Sequence, residues 1–155
     1  MSRRPALHSI SRALCASLFC LSVLLAGGES SLARERLAGP VPADVIKVID
    51  GDTLLVRARV WIGTDVTIKV RLRGVDAPEM HARCTAERTM AEAATRRLGD
   101  LVSGGPVSLF DISGGKYGGR VIAGVLAASG RSVAEDLLRD GFVRHYQGKT
   151  REPWC

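Results

Sequence analysis

The sequence predicts an α+β chain dominated by β structure, a small Greek-key barrel of five short strands with two helices. Three observations predict it. Short apolar runs bounded by glycine, proline and aspartate recur between Val45 and Ala127. Their period is two before Asp76 and becomes helical only after "DAPE". Helical stretches do not alternate one for one with strands, as a parallel α/β sheet would require.

In chain order, Arg3, Arg4 and Arg12 precede the apolar run "ALCASLFCLSVLLAGG", and small residues follow at Ser31 to Ala33. That is the layout of a secretory signal peptide over residues 1–33. The run is shorter than the roughly 20 apolar residues of a membrane span, so a retained anchor is the weaker alternative. Residues 34–44 carry Pro40 and Pro42 without periodicity and read as a leader into one domain, residues 45–155. The chain carries 22 Lys and Arg against 16 Asp and Glu and stays basic without the signal, which favours polyanionic partners. A secreted or periplasmic monomer is expected, without stable membrane insertion after signal removal.

Val45 to Ile49 is the first strand expected. "TLLVRARVW" and "VTIKVRLRGV" form a hairpin around Ile62 to Asp65. In the returning strand Val66, Ile68, Val70 and Leu72 alternate with Thr67, Lys69, Arg71 and Arg73, giving one core face and one cationic face. Met90, Ala94, Leu98, Leu101 and Val102 mark a helix stopped by Gly104 and Gly105. Strands follow at Val107 to Ile112 and Val121 to Ala127, and "SVAE" opens a second helix with Ser132 as its cap. Five strands and two helices in this order fit a barrel of the oligonucleotide-binding type.

Cys84 and Cys155 remain after signal removal, and two cysteines in an exported chain most simply form a disulfide. A redox or metal pair is the weaker alternative, because no CxxC spacing or histidine cluster accompanies them.

The chemistry centres on "VIDGDT" and "DAPE". A hairpin turning near Thr64 brings Asp52 and Asp76 to one open end, with Asp50 and Glu79 close by. Two like charges ~4 Å apart repel by about 1 kcal/mol in water and about 4 kcal/mol near a protein surface, so such a cluster calls for a cation. Oxygen ligands select a hard ion, calcium or magnesium. Pro78 holds Ala77 extended, so that its carbonyl can point with Asp76. Glu79 suits a base that polarises water. Arg71 and Arg120, the latter closing "KYGGR", supply the guanidinium forks that phosphoryl chemistry requires.

With "VIDGDT", "VRLRGVDAPE", "KYGGR" and "LLRDGFV" in order, the sequence resembles the staphylococcal nuclease, or thermonuclease, family over roughly Val45 to Tyr146. The resemblance implies an oligonucleotide-binding barrel and calcium-dependent hydrolysis of DNA and RNA at the 5′ P–O bond, leaving 3′-phosphates. It implies calcium ligands at Asp52, Asp76 and the Ala77 carbonyl, a general base at Glu79, and phosphate binding by Arg71 and Arg120. Lys116 and Tyr117 match positions that touch a neighbouring phosphate, and Tyr146 loosely matches an aromatic near the base. The chain departs from the family in a longer first hairpin and in Gly118 and Gly119 where one glycine is expected. The rival readings are a barrel that binds nucleic acid without catalysis and a calcium-stabilised envelope protein.

Overall fold

The computed structural model describes residues 35–116 and 118–155. The expected signal peptide and Tyr117 lie outside the described residues. The strands are β1 (Arg36–Leu37), β2 (Val41–Asp50), β3 (Thr53–Trp61), β4 (Thr64–Leu72), β5 (Val75–Asp76), β6 (Val107–Gly114), β7 (Arg120–Leu126) and β8 (Arg144–His145). The helices are α1 (Thr85–Val102) and α2 (Val133–Arg139).

Alternating apolar residues curl five of these strands into a closed ring. β2 pairs with β3, β3 with β4, β4 with β7, β7 with β6, and β6 returns to β2. All pairings are antiparallel except β4 with β7, which is parallel, so this is a mixed five-stranded barrel with two helices, as expected. Inside it Leu54, Val56, Val70, Leu72, Val107, Leu109 and Val125 are buried, and Leu98 of α1 closes on the same cluster. Closure removes the unpaired edges that a small open sheet would expose.

Three expectations shift in detail. The stretch expected as a leader is partly sheet: β1 pairs with β6, and β2 begins at Val41, with Pro42 opposite Ser108. A proline lacking its N–H is tolerated near the start of a strand. Residues 62–63 make the β3–β4 turn, with Gly63 at φ 71°, and an irregularity between Arg59 and Trp61 takes up one residue. The hairpin therefore pivots earlier than Thr64. Its tip runs beyond the core, which leaves Val66, assigned to the core face, 40% exposed. In α1 the buried stripe is Ala91, Ala94, Leu98 and Val102, so Ala91 takes the inward place expected for Met90.

Local chemistry fixes the helix ends. Cys84 caps α1 by accepting from the Glu87 N–H at 3.3 Å, and Ser132 caps α2 by accepting from the Glu135 N–H at 3.3 Å. Gly141, at φ 77°, follows the end of α2. Among the described residues no helix is long and apolar enough to cross a membrane.

A carboxylate and guanidinium site at the barrel end

"DGDT" makes the tight connection from β2 to β3, with Asp50 opposite Thr53. Asp50 accepts from the Asp52 N–H at 3.1 Å, the local bond by which aspartate stabilises turns. Gly51 is required by space. A Cβ built on it would lie 2.7 Å from the Ala94 Cβ and 2.9 Å from the Ala77 Cβ. This absence of a side chain lets α1 and the segment after β5 close over the turn, leaving Asp52 only 2% exposed.

The earlier pivot means that Asp52 lies opposite Leu72, whose N–H donates to the Asp52 carbonyl at 2.8 Å. Asp76 arrives by a different route from the one the spacing suggested. The chain reverses again at Gly74, φ 81°, and β5 brings Asp76 back toward Asp52. Arg73 braces this reversal, donating to the carbonyls of Asp111 at 2.6 Å and Ile122 at 3.0 Å and to Ser113 Oγ at 2.8 Å.

Arg71 bridges the two acids. Its Nη1 is 2.6 Å from Asp52 Oδ1 and its Nη2 is 3.4 Å from Asp76 Oδ1. Asp52 also accepts from Thr53 Oγ1 at 2.9 Å and from the Ala77 N–H at 3.1 Å. Even so, burial outweighs these bonds and pushes the Asp52 carboxyl up to about 6, with Arg71 opposing the shift and Asp50 adding to it. Ala77 thus enters the site through its N–H, a contact that the sequence did not announce.

The other expected residues are placed less closely. β4 and β7 pair Lys69 with Arg120 and Arg71 with Ile122, so Arg120 starts on the sheet face that carries Lys69 and Arg71. Its carbonyl accepts from the Gly115 N–H at 3.0 Å. Lys116 is exposed in the β6–β7 connection. Tyr146 follows β8, donating its N–H to the Gly74 carbonyl at 2.8 Å and its hydroxyl to the Lys149 carbonyl at 2.8 Å. With Asp76, Arg144, Lys149 and Arg151 it lines a cleft of ≈ 210 Å³.

The family model described as staphylococcal nuclease homologue matches residues 69–153, more than half of the sequence, and spans Arg71, Asp76, Glu79 and Arg120. The chain belongs to the staphylococcal nuclease family. No curated protein matches the sequence.

In this staphylococcal nuclease homologue the sequence reading missed the tail. Cys84 and Cys155 are joined as expected, across 71 positions of sequence. The linkage returns residues 151–155 to the acids. Arg151 Nη2 lies 2.5 Å from Asp76 Oδ1, and its Nη1 is hydrogen-bonded to Glu79 Oε1. Burial works against the charge of Arg151, but the Glu79 bond and the Asp76 charge outweigh it and raise its pKa above the usual arginine value. Trp154 donates from Nε1 to Asp76 Oδ2 at 3.3 Å while Arg144 stacks 3.6 Å above its ring. One signal was available: Cys84 lies five positions after Glu79, so a disulfide to Cys155 had to carry Arg151 and Trp154 into the neighbourhood.

Proposed function

We propose that this protein is a calcium-dependent, sugar-non-specific nuclease that hydrolyses DNA and RNA at the 5′ P–O bond and leaves 3′-phosphates. One observation carries the reading: two buried carboxylates, Asp52 and Asp76, converge on the single guanidinium of Arg71 at the mouth of the barrel. The atoms they offer a cation are all oxygen, and the raised pKa of Asp52 marks a carboxylate that its present partners do not fully compensate. Both features fit a hard divalent cation. Asp52, Asp76 and the Ala77 carbonyl would hold it, and when bound it would supply charge stabilisation to a phosphate oxygen.

The protein's own groups account for the remaining steps. Glu79, on the exposed side of the site, takes a proton from water. The water oxygen bonds to phosphorus in line as the bond to the 5′ oxygen breaks, and that oxygen takes a proton from solvent. Arg71 and Arg120 hold the phosphate, and their fixed charge balances the negative charge that grows on its oxygens. Lys116, Tyr117 and Tyr146 extend the contact along the strand. Because these contacts address phosphate and sugar, base identity has little influence on cleavage. Export to an oxidising compartment is part of the proposal, supported by the signal-peptide layout of residues 1–33 and by the disulfide.

Glu79→Gln tests the assignment of the base. Cleavage of single-stranded DNA should fall by roughly 10²- to 10⁴-fold, the usual contribution of a positioned base, while calcium-dependent nucleotide binding persists. A variant as active as a cleaving parent would remove Glu79 from the mechanism, whereas binding without cleavage by the parent itself would favour a binding module.

A further inference from the structure

We infer that the C-terminal segment Arg151–Cys155 is a disulfide-tethered strap that competes with the divalent cation for the acidic site. The inference rests on the cation reading above and adds regulation to it. In the structure Asp76 has both oxygens engaged: Oδ1 by Arg71 at 3.4 Å and Arg151 at 2.5 Å, and Oδ2 by Trp154 Nε1 at 3.3 Å. Arg151 also holds Glu79 through its other terminal nitrogen. The guanidinium therefore takes up a proposed ligand and the proposed base together. A cation that coordinates Asp76 must displace these donors, and that displacement also parts Glu79 from Arg151.

Two features keep the strap in place. Cys155, next to Trp154, is bonded to Cys84, which caps the long helix α1. Arg144 braces the other side, stacking on Trp154 and donating to the carbonyls of Glu152 at 3.0 Å and Pro153 at 3.3 Å. Tethering makes Arg151 an intramolecular competitor at an effective concentration in the millimolar range typical of short links. Opening the link lowers that concentration without touching an acid. A dithiol reagent does this by exchange. Its thiolate attacks one sulfur of the Cys84–Cys155 pair, that bond breaks, and the reagent leaves as a cyclic disulfide with both protein sulfurs as thiols.

The test is isothermal titration of the protein with calcium chloride alone, in the oxidised form, after dithiol treatment, and in the variants Arg151→Ala and Cys155→Ser. Arg151→Ala keeps the disulfide, so its result stands even where the cysteine variant fails to fold. Calcium Kd should fall roughly tenfold or more in Arg151→Ala, the equivalent of removing one competing charge-assisted hydrogen bond, and should fall on reduction as well. A Kd unchanged within about twofold, or a weaker one, in Arg151→Ala would overturn the strap while leaving the cation site standing. Absence of calcium binding in every form would overturn the cation reading and the strap with it.

Discussion

Asp52 shows how a residue of ordinary chemistry acquires an unusual property from distant parts of the chain. Its identity and its place beside Gly51 are plain in "VIDGDT". Its burial is not, because the segments that close on its neighbour Gly51, at Ala77 and Ala94, are distant in sequence. Desolvation raises its pKa from 3.8 to about 6. The sign follows from proton uptake. Between the unfolded and folded values the folded chain binds more protons, so stability without a cation falls as pH rises across that window and levels off above it. A cation that satisfies the carboxylate should therefore stabilise the protein more at about pH 7.5 than at about pH 4.5, where the proton competes for the same oxygens. Thermal melting with and without calcium at those two values checks this, and equal shifts at both would separate Asp52 from the ion. Arg151 is the opposite case. It reads as an ordinary residue of a polar tail, and only the disulfide ties it to the acids.

At the scale of elements, the site depends on how closely α1 approaches the β2–β3 turn. Gly51→Ala would drive a methyl group into Ala94 and Ala77 at distances that atoms do not tolerate. Overpacking of this kind destabilises by about 1–3 kcal/mol, and here it would also push the Ala77 N–H away from Asp52. Urea unfolding of Gly51→Ala should show that loss, whereas Gly118→Ala, which meets open space, should change little. Equal stability of Gly51→Ala and the parent would mean that the helix does not press on the turn. Element positions were legible where the period was clean: β3, the end of α1, β6, β7 and the onset of α2 lie near their sequence-based limits, whereas α1 starts at Thr85, five positions before Met90. The hairpin pivot was less so, because the irregularity near Trp61 shifts register without a distinctive residue pattern. The start of β2 was hidden by prolines that suggested a leader, although the local pairing accommodates Pro42.

Across the whole molecule, barrel closure is what makes the chemistry local. The parallel pairing of β4 with β7 starts Arg120 on the face of Arg71, although a connection, a helix and β6 separate these strands in sequence. The short pairing of β5 with β8 sets Asp76 opposite Arg144 and begins the return of the tail toward Cys84. Ordered motifs therefore revealed the family and the acids, while the long-range closures that gather them could be learned only from the folded chain. The central claim is that this gathered charge serves a divalent ion in phosphodiester hydrolysis. Its most direct test is digestion of single-stranded DNA by the purified protein with calcium and with a chelator in excess. The account predicts products ending in 3′-phosphate only when free calcium is present. Cleavage at the same rate under chelation, or no cleavage with calcium in either the oxidised or the reduced protein, would contradict it.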